Sequence, residues 1–145
     1  MTKIILTRHG HVEGIDPPRF RGRTELPLTS LGQAQARAVA VRIAARWAPV
    51  RIYTSPLSRC GDTARAVSDA CGAPVETVAE LIDLDYGEFH WRTYEEARVN
   101  APDLFATWRS QPQLVRFPGG ESLQDLVARA GNVLRLVLER HPGEA

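Results

Sequence analysis

The chain has 145 residues, of which 43% are hydrophobic, so it is long enough for one core-bearing domain and lacks the composition of a disordered, collagen-like or coiled-coil protein. Its 18 basic and 17 acidic residues leave a formal net charge of +1, so the molecule has no overall field that would attract nucleic acid or a membrane surface. No apolar stretch approaches the roughly 20 residues needed to span a bilayer, and the N-terminal residues lack the apolar region of a signal peptide. We therefore predict a cytoplasmic protein with no nucleic-acid partner and no membrane partner.

The first half of the chain alternates short apolar runs with helical patterns. Residues 4–7 favour β-structure and lead into Gly10, which indicates a buried strand that ends in a loop. Prolines, glycines and charged residues then interrupt any regular pattern up to residue 29, as is typical of a functional surface loop. The elements predicted beyond it are a helix opened by a Ser30/Gln33 capping box, a strand at residues 50–53, a helix at about residues 58–71 with Gly72 after it, and a strand at residues 75–78.

The second half of the chain is mainly helical by pattern. Thr93 and Glu96 have the spacing of a capping box, and Pro102 favours the first turn of another helix. Apolar residues recur every three or four positions over residues 122–140, which predicts a further amphipathic helix. We interpret His141, in the turn that follows, as a cation at the end of that helix. Strands that alternate with helices predict an α/β fold with a mainly parallel sheet.

The residues that follow the first predicted strand are Arg8, His9 and Gly10. In α/β folds, ligands bind at the carboxyl ends of the strands. A neutral imidazole nitrogen is nucleophilic at pH 7 when a carbonyl or carboxylate holds the other ring nitrogen as a donor. A neighbouring guanidinium group can hold a phosphate through paired, charge-assisted hydrogen bonds. The pair Arg8-His9 therefore indicates phosphoryl transfer.

Five further motifs accompany this tripeptide, in the order and approximate spacing of a known family. With them, the chain resembles the histidine phosphatase superfamily, the phosphoglycerate-mutase-like proteins, over most of its length. The resemblance implies a three-layer α/β sandwich around a mainly parallel central sheet. The motifs are Arg21-Gly22, Pro27-Leu28-Thr29 with Leu31-Gly32, Ser55-Pro56-Leu57-Ser58-Arg59 with Thr63-Ala64, Tyr86-Gly87, and Gly119-Gly120-Glu121-Ser122.

The resemblance also implies a function and the residues that carry it. It implies a phosphomonoester hydrolase that acts on a small phosphorylated metabolite through a phosphohistidine intermediate, with no cofactor and no metal ion. Positioning and electrostatic stabilisation by arginines would supply most of the catalysis. The implied roles are His9 as nucleophile and Asp83 as acid and base, Arg8, Arg59 and Gly10 as phosphate-binding residues, and Arg21, Gly22 and His90 as substrate-binding residues.

The acid is one of the positions where the chain departs from the family pattern. The family normally has a glutamate two residues after a leucine, whereas here Leu81 is followed by Ile82 and the shorter Asp83. An alkoxide is a poor leaving group, so a carboxyl group must donate a proton to it. Asp85 and Glu88 are the alternatives to Asp83 for this role.

The C-terminal part of the family pattern is a second departure. Family members carry a second catalytic histidine on a strand after the helix that corresponds to residues 122–140, and this chain ends at Ala145. We therefore expect residues 1–145 to be one histidine-phosphatase-like domain that is truncated at its C-terminus. Homodimerisation is left open.

Several alternative functions remain at this stage. A mutase is disfavoured because Gly87-Glu88-Phe89 leads into a helix start without the long insertion of the sugar-phosphate mutases. The loop at residues 20–25 resembles that of the phosphatases that act on α-ribazole phosphate. His9 and His11 could instead be ligands in a metal-dependent hydrolase. The last alternative is a non-catalytic phosphate-binding module.

Overall fold

The computed structural model describes residues 2–143, whose contacts divide the chain into two compact units. The first unit contains the residues up to 13, residues 25–82 and those from 132 onwards. The second unit contains residues 14–24 and 83–131. The interpretation of residues 1–145 as one domain stays a prediction.

The first unit is built around a parallel pair of strands. Residues 52, 53 and 54 pair with residues 75, 76 and 77, respectively, and the chain between the two strands forms a helix. This connection is the one that parallel strands require, so the predicted α/β class is confirmed. The elements are helix α1 (Ser30–Arg46), strand β1 (Ile52–Thr54), helix α2 (Ser58–Cys71) and strand β2 (Val75–Thr77).

The strand predicted at residues 4–7 is wrong as a strand. Within residues 2–143 only β1 and β2 are strands, and they form a sheet of two. Leu6 is 86% exposed and Ile4 is 40% exposed, while Ile5 packs against the buried cluster of Ala40, Ile43 and Val67. Apolar, β-favouring residues give the chain a tendency to extend, but a strand also needs a neighbour with which to exchange hydrogen bonds.

Local sequence signals place the ends of the helices in the first unit to within a residue. Helix α1 is capped by Thr29, whose hydroxyl accepts a hydrogen bond from the N–H of Gly32, and not by the predicted Ser30/Gln33 pair. Helix α2 has the predicted bounds, and Gly72 ends it with a φ angle of 77°. Thr29 and Ser30 are both good capping residues, and only the backbone path into the helix decides between them.

The second unit consists of turns and short helices around an aromatic core. Helix α3 (Tyr94–Asn100) starts with the predicted capping box of Thr93 and Glu96, and helix α4 (Pro102–Ser110) starts at Pro102 as predicted. Helix α5 (Leu123–Arg140) belongs to the second unit up to residue 131. In the described range, none of the helices combines the length and the apolar character needed to cross a bilayer.

Phe20 lies at the centre of the aromatic core of the second unit. It is 1% exposed, and its ring meets those of Tyr86, Phe89 and Phe117 at centroid distances of 5.1, 5.8 and 5.7 Å in edge-to-face geometry. Edge-to-face contacts place the positive ring edge against the negative ring face, which adds to the stabilisation from burial. The core therefore fixes the segment around Phe20 against the segment of residues 86–89.

Candidate active site

The imidazole ring of His9 is oriented by a hydrogen bond to the backbone. Its ring is half-buried in the first unit, and its Nδ1 lies 2.7 Å from the carbonyl oxygen of Gly10. A carbonyl oxygen can only accept a hydrogen bond, so Nδ1 is the donor, and in the neutral imidazole the lone pair then lies on Nε2. The sequence analysis required a carbonyl or carboxylate that holds one ring nitrogen of His9 as a donor. The backbone carbonyl of Gly10 is that acceptor.

Gly10 is buried and closely packed. A Cβ atom at this position would lie 2.2 Å from the carbonyl oxygen of Gly32, which no side chain could tolerate. The N–H of Gly10 donates to the hydroxyl of Thr63 at 3.2 Å, and that hydroxyl donates to the carbonyl of Arg59 at 2.8 Å. Gly10 is therefore joined through Thr63 to the backbone of Arg59, and the predicted contact of its N–H with phosphate stays a prediction.

Arg59 brings a positive charge to a place where the backbone is already positive. It is 1% exposed and lies in the first turn of α2, after Leu57, which offers no side-chain cap. The N-terminus of a helix carries about half a positive charge from its aligned peptide dipoles, so a guanidinium group there favours an anion. The carboxylate of Glu25 takes part in this region, since it accepts hydrogen bonds from the N–H and the hydroxyl of Ser58 at 3.2 and 2.6 Å. Arg8, the second predicted phosphate-binding arginine, is exposed.

His11 is engaged in fixing the start of α1. Its Nδ1 lies 2.9 Å from the hydroxyl of Thr29, and its backbone N–H donates to the side-chain oxygen of Gln35 at 2.7 Å. Within residues 2–143, no group of three histidine, cysteine, aspartate or glutamate side chains is arranged to hold a metal ion. The hydrogen bond to Thr29 gives His11 a role in the loop that precedes α1.

Two of the three predicted substrate-binding residues lie together in the second unit. Gly22 has a φ angle of 41°, and a Cβ atom there would lie 2.6 Å from the ring of Tyr86 and 2.9 Å from that of His90. Only glycine fits this position, because the backbone conformation is left-handed and the space is filled. The third residue, Arg21, donates from Nη1 to the carbonyl of Gly14 at 2.8 Å. Their role in substrate binding stays a prediction.

Asp85 is held as an anion by three donors. One carboxylate oxygen accepts from the N–H of Gly87 and from Nε2 of His90, both at 2.9 Å, and the other accepts from Arg23 at 3.1 Å. Burial raises the pKa of Asp85, but these three partners lower it by more, so the pKa lies below its usual range. A general acid must be protonated before it reacts, and these contacts stabilise the ionised form of Asp85, which disfavours Asp85 for that role.

Asp83 and Glu88 are the remaining candidates for the acid, and both are exposed in the second unit. One carboxylate oxygen of Asp83 accepts a hydrogen bond from the N–H of Leu84 at 2.7 Å. Its backbone carbonyl accepts from Nε of Arg23 at 3.2 Å and from Nη2 of Arg129 at 3.0 Å. The backbone of Asp83 is therefore fixed by two guanidinium groups, which the sequence patterns did not indicate.

Tyr86 lies in the site region, and the sequence motifs indicated no role for its side chain. Burial raises the pKa of its hydroxyl, and the charges of Asp83 and Tyr94 raise it further against the opposing effect of Arg21. Tyr86 therefore keeps its proton at neutral pH. It packs against Gly22, which places a neutral hydroxyl-bearing ring among the predicted substrate-binding residues.

A strained residue follows His90. Trp91 has a φ angle of 66°, which is rare for a bulky side chain. Its N–H donates to the carbonyl of Phe20 at 2.9 Å, and its carbonyl accepts from Nη1 of Arg19 at 2.7 Å. The guanidinium group of Arg19 also lies 5.0 Å from the centroid of its indole ring. Such strain persists only where the surroundings hold it, so the conformation next to His90 is set by these contacts.

Comparison with characterised proteins gives this arrangement a context. The chain is 31% identical over 146 residues to the metal-independent phosphoserine phosphatase of Arabidopsis thaliana, which covers 99% of this chain and 61% of the relative. It is 33% identical over 141 residues to phosphoserine phosphatase 1 of Hydrogenobacter thermophilus, which covers 97% of this chain and 66% of the relative. The chain thus spans about two thirds of the length of these curated relatives.

Solved structures agree with the fold. YhfR of Bacillus stearothermophilus matches with a TM-score of 0.88 and 29% identity over 95% of this chain and 68% of its own. An α-ribazole-5′-P phosphatase structure from Escherichia coli matches with a TM-score of 0.79 over 90% of this chain and 64% of its own. At 22% identity, the second match supports the fold and not the substrate.

The profile of one family covers nearly the whole chain. It is described as the histidine phosphatase superfamily (branch 1) and matches residues 4–145. The match includes every motif on which the resemblance was based. The chain therefore belongs to the histidine phosphatase superfamily.

Proposed function

We propose that the protein is a phosphomonoester hydrolase that forms a phosphohistidine on His9 and acts on a small phosphorylated metabolite. The observation that carries the proposal is the 2.7 Å contact between Nδ1 of His9 and the carbonyl of Gly10. In the neutral imidazole this contact favours the tautomer with the lone pair on Nε2, which can attack without a separate base. Family membership supports the same reaction.

In the first half of the proposed reaction, Nε2 of His9 attacks phosphorus while the bond from phosphorus to the ester oxygen breaks. The carboxyl group of Asp83 gives its proton to the departing oxygen, which leaves as an alcohol. Arg8 and Arg59 hold the phosphoryl oxygens, whose charge is spread over the group in the transition state. The buried position of Arg59 supports this role, because a guanidinium group excluded from water interacts more strongly with an anion.

In the second half, water replaces the histidine on phosphorus. The Asp83 carboxylate takes a proton from the attacking water, and the bond between phosphorus and Nε2 breaks to release inorganic phosphate and restore His9. We favour Asp83 over Asp85 because the contacts with Gly87, His90 and Arg23 stabilise the ionised form of Asp85 and lower its pKa. The phosphoserine phosphatases among the relatives make phosphoserine the first natural substrate to assay.

The direct test uses the purified protein at its full encoded length, with para-nitrophenyl phosphate and phosphoserine as substrates and a chelator present. We expect hydrolysis with the chelator, and His9→Ala should abolish it. His11→Ala is the matched control, because it removes the neighbouring imidazole and should leave most of the activity. Loss of activity on chelation together with loss in His11→Ala would support the metal-dependent alternative. Hydrolysis by His9→Ala would contradict the proposal, and phosphate binding without turnover would support the non-catalytic alternative.

The mutase alternative is tested with the same protein. The phosphatase reaction should release inorganic phosphate in step with the alcohol, since water accepts the phosphoryl group. A mutase would return the phosphoryl group to a second hydroxyl of the substrate and release little free phosphate.

A further inference from the structure

Glu121, in the Gly-Gly-Glu-Ser motif, is the centre of an ion-pair network in the second unit. Its carboxylate accepts from Nη2 of Arg23 at 2.8 Å and from Nη2 and Nε of Arg129 at 3.0 and 3.3 Å. It also accepts from the N–H of Asp85 at 3.0 Å. Four donors on one carboxylate exceed what an exposed ion pair makes, and the side chains of Glu121 and Arg129 are only 20% and 14% exposed.

The same network forms hydrogen bonds with the backbone on both sides of Leu84. Arg23 and Arg129, which Glu121 holds, both donate to the carbonyl oxygen of Asp83. The backbone N–H of Glu121 donates to the carbonyl of Asp85 at 2.8 Å. Glu121 or its arginine partners thus hydrogen-bond with three backbone groups, which are the carbonyl of Asp83 and the N–H and carbonyl of Asp85. The carbonyl oxygen of Asp83 is the one that accepts hydrogen bonds from both arginines.

The charges explain why Glu121 is needed to hold Arg23 and Arg129 on the carbonyl oxygen of Asp83. Two guanidinium groups that converge on one carbonyl oxygen repel each other, and a carboxylate between them removes that cost. Burial raises the pKa of Glu121, but Arg129, the N–H of Asp85 and the charge of Arg23 lower it by more, so Glu121 is ionised at neutral pH. A neutral side chain of the same shape would keep the volume and lose the charge that holds the arginines together.

We propose that Glu121 is a positioning residue for the proton donor, which acts through Arg23 and Arg129 to fix the backbone of Asp83. This inference rests on the proposed function, since it needs Asp83 to be the acid. Glu121 itself touches neither substrate nor reacting atoms in this account. Positioning matters because a small misplacement of a catalytic group can cost about 100-fold in rate.

The test is Glu121→Gln, assayed with two substrates that differ in their need for an acid. Phosphoserine has a poor alkoxide leaving group, whereas para-nitrophenolate leaves without a proton. We expect kcat/KM for phosphoserine to fall about tenfold and kcat/KM for para-nitrophenyl phosphate to change less than about twofold. The ratio is informative because a general loss of folded protein would lower both values equally.

Two further variants connect the effect to Asp83. Asp83→Asn should show the same dependence on the leaving group with a larger loss, and adding Glu121→Gln to it should cause little further loss, because both changes disable one proton transfer. Glu95→Gln is the matched control, because it breaks the Glu95–Arg98 ion pair of 2.6 Å in the same unit without touching the Asp83 backbone. It should leave both substrates unaffected.

The outcomes separate this inference from the proposed function. If His9→Ala is inactive but Glu121→Gln lowers both substrates equally or neither, the positioning role is wrong and the phosphohistidine proposal stands. If the wild-type protein hydrolyses neither substrate, the proposed function itself fails. Should Glu121→Gln fold poorly, Arg23→Lys removes the Nε contact with Asp83 while keeping the charge, and the same selective loss on phosphoserine is required of it.

Discussion

The two units of the chain hold their functional residues by different means. In the first unit, His9 is oriented by the carbonyl of its neighbour Gly10, and Gly10 is tied through one hydroxyl to the backbone of Arg59. In the second unit, Asp83 is held by arginines whose partner carboxylate, Glu121, is 38 positions further along the chain. The proposed nucleophile thus depends on local backbone geometry, and the proposed acid depends on distant charged side chains.

This difference has consequences for sensitivity to mutation and to pH. Backbone contacts survive most substitutions of surrounding side chains and do not titrate. A network of carboxylates and guanidinium groups loses its function when one charge is removed or protonated. We therefore expect the second unit to respond more strongly to changes in charge. The first unit should respond to changes that alter the proposed nucleophile or the arginines proposed to bind phosphate.

The largest effect on stability is expected from Phe117→Ala in the aromatic core of the second unit. Phe117 is 1% exposed and meets Phe20, Tyr86 and Trp108 at centroid distances of 5.7, 4.8 and 5.2 Å. Removing a buried ring leaves a cavity, so the free energy of unfolding should fall by about 3–5 kcal/mol. Hydrogen exchange should show the loss of protection mainly in residues 83–131. An equal loss in α1 and α2 would contradict the division into two units.

After the complete loss of activity expected in His9→Ala, the next largest effect on catalysis, without a comparable effect on stability, is expected from Arg59→Lys. Lysine keeps the charge but cannot form the paired hydrogen bonds of a guanidinium group. The value of kcat/KM should fall about 100-fold, while the midpoint of thermal unfolding should change little. Steady-state kinetics and thermal denaturation of the same preparation measure both. A variant with wild-type activity would show that Arg59 does not hold the phosphoryl group.

A smaller effect is expected from Gly22→Ala, which is compared with Gly61→Ala. A methyl group on Gly22 would contact Tyr86 and His90, and the alanine backbone would have a strained φ angle. The free energy of unfolding should therefore fall by about 1–3 kcal/mol. A methyl group on Gly61, in the interior of α2, meets no atom within 4 Å and should stabilise the protein by about 0.5–1 kcal/mol. Urea denaturation measures both free energies. Destabilisation of equal size in the two variants would contradict the packing around Gly22.

The smallest effect concerns the pH dependence of stability. The folded state lowers the pKa values of Asp85 and Glu121 from their ordinary values of 3.8 and 4.5, so the unfolded chain takes up protons first as the pH falls. Their contribution to stability is complete above about pH 4.5 and is lost as the pH drops through the lowered values. Urea denaturation from pH 6 to pH 3 should therefore show a smaller decrease in the Glu121→Gln, Asp85→Asn double variant. An unchanged slope would show that the network does not stabilise the folded state.

In both units, sequence patterns predicted features that depend on neighbouring residues and missed contacts between distant segments. Caps and motifs act over three or four residues, and so the bounds of α2, the start of α4 and the capping box of α3 agree with the structure. The strand at residues 4–7 failed because pairing depends on a neighbour that no local pattern specifies. The hydrogen bonds of Arg23 and Arg129 with the carbonyl of Asp83 were missed for a related reason. Charged residues that are far apart in the sequence carry no local pattern that indicates which of them are in contact.

The candidate site shows the same limits residue by residue. His9 was identified because an arginine and a glycine flank it after an apolar run, and the role of the Gly10 carbonyl follows from the chemistry of imidazole. The choice between Asp83 and Asp85 needed the structure, since only the contacts with Gly87, His90 and Arg23 lower the pKa of Asp85. Motifs indicated the candidate residues, the structure adds their hydrogen-bond partners, and their catalytic roles stay predictions.

The most direct test of the central claim is to trap the intermediate. The protein is mixed with substrate, quenched within the first turnover under alkaline conditions that preserve phosphohistidine, and examined by phosphorus NMR and peptide mass spectrometry. The proposed mechanism places the phosphate on Nε2 of His9, because Nδ1 donates to the carbonyl of Gly10. Turnover without any phosphorylated His9, or phosphate attached to Nδ1, would contradict it.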